Sequence, residues 1–178
     1  MSFKVIKEWV SLFAIAIIVA LLLRAFIIEP RYVPTPSMVP TIKVNDRLYV
    51  EKLSPRFGTL ERGMIVTFLA PEQTGRGDYL VKRLIGLSGD VISIKGGKLY
   101  VNGRAVVEPY LNEPMLSDFP EYTVPEGKVF LMGDNRNHSQ DSRSWGSVDV
   151  SCVKGQALFI YFPFSHVGSV WGQSLRYE

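Results

Sequence analysis

From Trp9 to Ile28 every residue is apolar or small except Ser11 and Arg24. No other stretch limits the fold as strongly. About 20 residues at roughly 1.5 Å each span the ~30 Å hydrocarbon layer, and in lipid a backbone must satisfy its own hydrogen bonds. The expectation is a transmembrane helix over 9–28, with 1–8 before it and one domain, 29–178, after it. Arg24 lies near the end of the run and can reach the interface there. Glu29 and Arg31 mark the exit, and Ile28-Glu29-Pro30-Arg31-Tyr32 offers no small-x-small site, so the run reads as an uncleaved anchor. Lys4 and Lys7 favour a cytoplasmic N-terminus, whereas Arg31, Lys43 and Arg47 pull the other way.

The remaining roughly 150 residues suit one domain with a sizeable core. A formal charge of +3 without a long basic block does not suggest nucleic-acid binding, and fits a mild affinity for anionic headgroups. The single cysteine, Cys152, excludes an internal disulfide and leaves the compartment open.

After Thr41 the chain changes period. Asp46 to Glu51, Ile65 to Leu69, Tyr79 to Leu84, Val91 to Ile94 and Lys98 to Val101 alternate as strands, and Val129 to Met132 and Ala157 to Phe162 follow. Asn102-Gly103 between two apolar runs predicts a two-residue hairpin. The segment from Glu108 to Pro125 reads as a long loop. No amphipathic helix is expected beyond the anchor. The fold class is therefore mainly β: a transmembrane helix followed by an all-β domain of partly closed antiparallel sheets.

Three groups carry chemistry. Pro34-Thr35-Pro36-Ser37-Met38-Val39-Pro40-Thr41 is stiffened by its prolines and holds the Ser37 hydroxyl at its middle. As a bare sequence it serves equally as a linker. Lys82 follows Tyr79-Leu80-Val81, and alternation puts it on the face of Leu80 and Leu84, aimed inward; burial there disfavours its ammonium form. The segment Gly133 to Arg143 is a polar turn in which Asp141 and Arg143 can pair and Asp134 or Arg136 can hold neighbouring strands. His138 and His166 are the only histidines. No G-x-S-x-G, H-E-x-x-H or S-x-x-K motif is present, and no metal site or cofactor is expected. Two other readings stay open: a histidine-based serine protease with His138 as base and Asp141 as its orienter, and a membrane-anchored β-domain that binds peptides without cutting them.

The order Ser-Met-x-Pro-Thr, Lys-Arg-x-x-Gly-x-x-Gly-Asp and Gly-Asp-Asn-Arg-x-x-Ser-x-Asp-Ser-Arg resembles type I signal peptidase, the serine/lysine leader peptidase, in its short single-anchor form. Arg62-Gly63-Met64 before a strand resembles a further family segment, with Met64 where Asp is usual. The resemblance runs from the anchor to about Phe164. It implies a fold like that of the self-cleaving repressors, and cleavage of signal peptides from exported preproteins at small-x-small sites through an acyl-enzyme. It implies Ser37 as nucleophile and Lys82 as general base. Ser139 and Asp141 would orient the amine, with Arg143 pairing to the acids of that turn. Thr35 and the Ser37 N–H would form the oxyanion hole; the family more often has Ser at the Thr35 position. The membrane implied is the plasma membrane or the thylakoid, with the N-terminus cytoplasmic and the domain on the far side. The partners implied are preproteins and the bilayer, not nucleic acid.

Overall fold

The computed structural model describes residues 3–58, 60–75, 77–170 and 175–178. Residues 1 and 2 of the expected N-terminal segment, and 59, 76 and 171–174 of the expected domain, lie outside it. The apolar run forms α1, Phe3–Phe26. Among the described residues α1 is the one helix long and apolar enough to cross a membrane. It begins before Trp9 because Lys4, Lys7 and Glu8 are good helix formers. It stops short of Ile28, which opens β1, Ile28–Tyr32, paired antiparallel with β2, Arg47–Glu51. The last apolar residues of the run therefore enter the sheet. Pro30 is tolerated because β1 lies at the sheet edge.

The helix end is tied down. Lys52 Nζ donates to the carbonyls of Arg24 and Ala25, each at 3.1 Å, and Arg56 Nη1 donates to that of Phe26 at 3.0 Å. These are carbonyls a helix terminus leaves without intrahelical partners, and cations suit its negative pole. Lys52 precedes, and Arg56 belongs to, the short α2, Leu53–Phe57.

The domain holds two antiparallel sheets. Their further strands, in chain order, are β3 Ile65–Leu69, β4 Tyr79–Gly86, β5 Val91–Lys95, β6 Lys98–Val101, β7 Arg104–Val107, β8 Phe119–Thr123, β9 Lys128–Met132, β10 Val148–Asp149, β11 Val153–Phe162, β12 Gly168–Ser169 and β13 Arg176–Tyr177. The larger sheet runs β1-β2-β11-β3-β4-β9-β10 with β12 on β11, and the smaller runs β13-β7-β6-β5-β8. The Asn102-Gly103 hairpin forms as expected, both residues at positive φ (54° and 76°), as a type I′ turn requires. The expected loop from Glu108 to Pro125 is interrupted by β8, which pairs with β5. Its Pro120 and Glu121 hid a strand that is half exposed at a sheet edge. The third helix, α3, is a single turn, Ser142–Trp145.

Three buried apolar clusters support these layers. One packs Val33, Met38 and Ile42 against Leu48, Val50, Ile65, Ala157 and Ile160. A second joins Val66, Phe68, Leu80, Leu84 and Leu131, with Trp145 against it. The third fills the smaller sheet around Ile92, Ile94, Leu99, Phe130 and Met132. The first cluster matters most here. Met38 and Ile42 are fully buried, and each side chain contributes roughly 1.5–3 kcal/mol by leaving water. They anchor the proline-rich segment to the core directly after Ser37.

Candidate active site

The proline-rich segment is a folded turn. Val39 N–H donates to the Pro36 carbonyl at 3.1 Å and Ile42 N–H to that of Met38 at 2.9 Å. Ser37 therefore sits at the top of a turn pinned from below by apolar side chains. Facing it is β4, where Leu80, Lys82 and Leu84 are buried, as alternation predicted. Lys82 is 3% exposed, and its Nζ donates to Ser37 Oγ at 2.5 Å. Thr35 Oγ1 lies 3.4 Å from the same oxygen. Two polar groups, one of them 45 positions away in sequence, thus converge on the Ser37 hydroxyl.

The polar turn holds this pair together. β9 pairs with β4 back to Arg83, opposite Met132, and the chain leaves the sheet at Gly133. A Cβ on Gly133 would overlap both the Ser37 carbonyl oxygen and Ser139 Oγ. Only glycine admits so close an approach. The neighbouring Asn135 donates its N–H to the Ser37 carbonyl at 3.1 Å and its side-chain amide to the Pro36 carbonyl at 3.1 Å. The nucleophile segment is docked on this turn by backbone contact.

Asp141 is fully buried. It accepts Arg143 Nε and Nη2, each at 2.8 Å, and the Gly133 N–H at 3.0 Å. The Gly133 carbonyl in turn accepts Arg136 Nε at 3.0 Å. Arg136 also forks onto Glu108, at 2.9 and 2.6 Å. Burial alone would push the Arg136 guanidinium down, but the Glu108 carboxylate outweighs it and holds it above its ordinary value. Ser139 has a buried Oγ with no hydrogen-bond partner among the described residues, and it lies against Gly133.

A second buried pair ties β4 to both other segments. Arg83 donates Nε and Nη2 to Asp134 at 2.7 and 2.6 Å, and Asp134 also accepts Thr41 Oγ1 at 2.5 Å. Arg83 completes its fork on the Gly63 carbonyl at 2.8 Å and stacks 3.8 Å from the Tyr110 ring centre. Strand, turn and nucleophile segment thereby share one carboxylate.

Two hollows flank Ser37. A cleft of about 160 Å³ is lined by Thr35, Pro36, Ser37, Leu80, Lys82, His138, Gln140 and Trp145. A crevice of about 20 Å³ lies among Tyr32, Val33, Thr35, Ser37, Met38 and Leu80. His138 stands on the cleft wall, yet the hydrogen bond on Ser37 Oγ comes from Lys82. Asp141, which the histidine reading needs as its orienter, is engaged by Arg143 and Gly133. His166 lies elsewhere, with Nδ1 2.8 Å from Asp46 Oδ2. No group of three metal-ligating side chains occurs among the described residues.

Ser37, Lys82 and Thr35 lie together and Asp141 pairs with Arg143, whereas the two side chains expected to orient the Lys82 amine are placed otherwise: Ser139 Oγ has no hydrogen-bond partner among the described residues and Asp141 is engaged by Arg143 and Gly133. Sequence reasoning missed Gly133 as a contact surface and the Arg83–Asp134–Thr41 link. The glycine directly preceding the acid of the turn was the one available signal for the first.

A family model described as signal peptidase, peptidase S26, matches residues 6–162. A probable signal peptidase I-1 of Synechocystis sp. is 42% identical over 173 residues, covering 94% of this chain and 86% of that protein. A signal peptidase I of Bacillus licheniformis is 43% identical over 171 residues, covering 90% of each. A crystal structure of a signal peptidase I from Enterococcus faecalis V583 is 36% identical with a TM-score of 0.49, covering 55% of this chain and 95% of that one.

Proposed function

The chain belongs to the signal peptidase family, peptidase S26, and we propose that Ser37 is its nucleophile and Lys82 its general base. It is a serine peptidase that removes signal peptides from exported preproteins. The observation that carries the residue assignment is the contact of Lys82 Nζ with Ser37 Oγ at 2.5 Å, in a nearly water-free position.

A serine hydroxyl is a weak nucleophile until a base takes its proton. Neutral Lys82 amine accepts that proton as Ser37 Oγ bonds to the scissile carbonyl carbon. The oxyanion formed is met by the Thr35 hydroxyl and the Ser37 N–H; a donor of this kind contributes about 10²–10³ in rate. Lys82, now ammonium, returns the proton to the departing amine of the mature protein, leaving an acyl-enzyme. Water, deprotonated by the same amine, then releases the signal peptide as a carboxylate and restores Ser37. Asp141 with Arg143 fixes the turn on which Ser37 rests, and Ser139 packs beside Gly133 on that same turn. The crevice of about 20 Å³ beside Ser37 takes a methyl-sized group, which fits a small residue at −1 and excludes larger ones. The helix α1 spans the membrane with its N-terminus in the cytoplasm and the domain on the far side.

The test uses the full chain in detergent with a preprotein bearing Ala-x-Ala before the cut. Ser37→Ala and Lys82→Ala should be folded and inactive. Lys82→Arg should also be inactive, because arginine keeps its proton near neutral pH. His138→Ala should retain most activity. The rate should rise with pH, because only the neutral Lys82 amine can accept the Ser37 proton. Near-normal turnover by a folded Lys82→Arg variant overturns the assignment. Protease added to right-side-out vesicles should digest the domain; protection until lysis reverses the orientation.

A further inference from the structure

Where α1 ends, the surface holds an open cavity of about 470 Å³ that the proposed catalysis does not use. Arg31, Lys52, Arg56 and Lys154 line it against a single carboxylate, Glu29. That carboxylate is already shared: Arg31 Nη2 lies 2.7 Å from one oxygen and Lys52 Nζ 3.2 Å from the other. Arg56 and Lys154 hold backbone carbonyls, those of Phe26 at 3.0 Å and Ser151 at 2.8 Å, and neither pairs with a carboxylate among the described residues. The cavity thus carries a positive excess on side chains already fixed in place by hydrogen bonds. Cations held in this way lose less freedom when an anion binds.

Its position identifies the anion. Lys52 and Arg56 reach from the cavity to the last carbonyls of a helix of 24 residues, so the cavity lies about 36 Å from the far end of α1. That is the level at which hydrocarbon gives way to phosphate. Exposed apolar groups lead away from it: Phe57, 75% exposed, next to Arg56, and Phe26 at the end of the helix. A free phosphate would use the charge and leave these surfaces uncovered. A diacyl lipid uses both.

We propose that this cavity binds the headgroup phosphate of an anionic phospholipid, with the acyl chains lying along the end of α1. The site does not depend on the catalytic assignment, and its test reads binding without turnover. The full chain, in neutral detergent, is titrated with phosphatidylglycerol, phosphatidylcholine or inorganic phosphate and examined by native mass spectrometry. Phosphatidylglycerol should be retained in preference to phosphatidylcholine, and inorganic phosphate should not displace it at equal concentration. The double variant Arg56→Gln/Lys154→Gln should bind phosphatidylglycerol on the order of 30-fold more weakly, given the worth of a basic side chain at an anionic surface. Lys95→Gln/Lys98→Gln, on the smaller sheet, should bind as the wild type does. Should the double variant fail to fold, Lys154→Gln alone, at an exposed position of β11, should still weaken binding about fivefold. Equal retention of the two lipids, unchanged binding by the folded variants, or displacement by inorganic phosphate at equal concentration would each overturn the proposal.

Discussion

Lys82 and Arg83 are consecutive on β4 and each is 3% exposed, yet the two faces of the strand treat their cations differently. Arg83 meets a carboxylate through two parallel hydrogen bonds, a carbonyl through a third, and an aromatic ring through its face. Burial alone would push its guanidinium down, but the Asp134 bonds outweigh that and hold it above the ordinary value. Lys82 is set against a serine hydroxyl. The difference teaches what burying a cation can do. Matched to a carboxylate it fastens three segments; set on a hydroxyl in the same dry interior it stands where the proposed mechanism needs a base. Arginine suits the first task because its fork is planar and permanently charged, and lysine the second because it can become neutral.

The sharpest way to break the comparison is to remove each cation in turn. Lys82→Met should lower preprotein cleavage by about 10²–10⁴, the range of general-base catalysis, with unchanged or raised stability in urea. Arg83→Met should lower stability by about 3–5 kcal/mol, because it strands the Asp134 charge in the interior. If Lys82→Met cost as much stability as Arg83→Met, the two faces would be doing the same job. The next effect is geometric. Gly133→Ala forces the turn away from the Ser37 carbonyl, and a displacement of the order of 1 Å should cost about 10² in kcat, with substrate binding less affected. Wild-type kcat in that variant would remove the turn from the site. Ser139→Ala should cost less, roughly tenfold in kcat, and leave the melting temperature unchanged or slightly raised, because an unpartnered buried hydroxyl stabilises nothing.

The smallest effect belongs to a pair outside the site. Asp90 accepts Arg62 at 2.6 and 2.7 Å, the Leu87 N–H at 2.8 Å and the Asn102 amide at 2.8 Å. Burial pushes its carboxyl up, and these bonds together bring it below the ordinary carboxylate value. Its contribution is therefore present above pH ~4 and lost as pH falls through the lowered folded-state value. Arg62 is partly exposed, so Arg62→Gln should lower stability at neutral pH by less than about 1 kcal/mol and flatten the acid limb of the stability curve. Unlike Arg83, this arginine can be spared.

Much of this was readable before folding, for local reasons. Period-two alternation carries the direction of Lys82, and the Asn102-Gly103 pair carries its hairpin, because each depends on neighbours in sequence. The proline spacing showed Ser37 to be held stiffly but not what held it. The partners of Asp134 lie 51 and 93 positions away, and no local pattern encodes such a meeting. Gly133 looked like turn chemistry because a glycine marks a close approach without saying which distant segment makes it. β1 and β8 were missed where proline and acids sit at sheet edges, positions that need no full ladder.

The clamp at the end of α1 has a consequence for distance and angle. One residue, Ile27, separates the helix from β1, and Lys52 and Arg56 grip the helix carbonyls from the domain side. Helix and sheet therefore turn together, and α1 acts as a shaft with the hydrolytic head keyed to it. Inserting one residue within the helix would lift the head by about 1.5 Å and swing it by about 100°, while seven residues would raise it by about 10 Å and nearly restore its heading. On the proposed assignment, a substrate helix in the same bilayer would meet Ser37 from one compass bearing, set by the azimuth of α1 as well as by its depth.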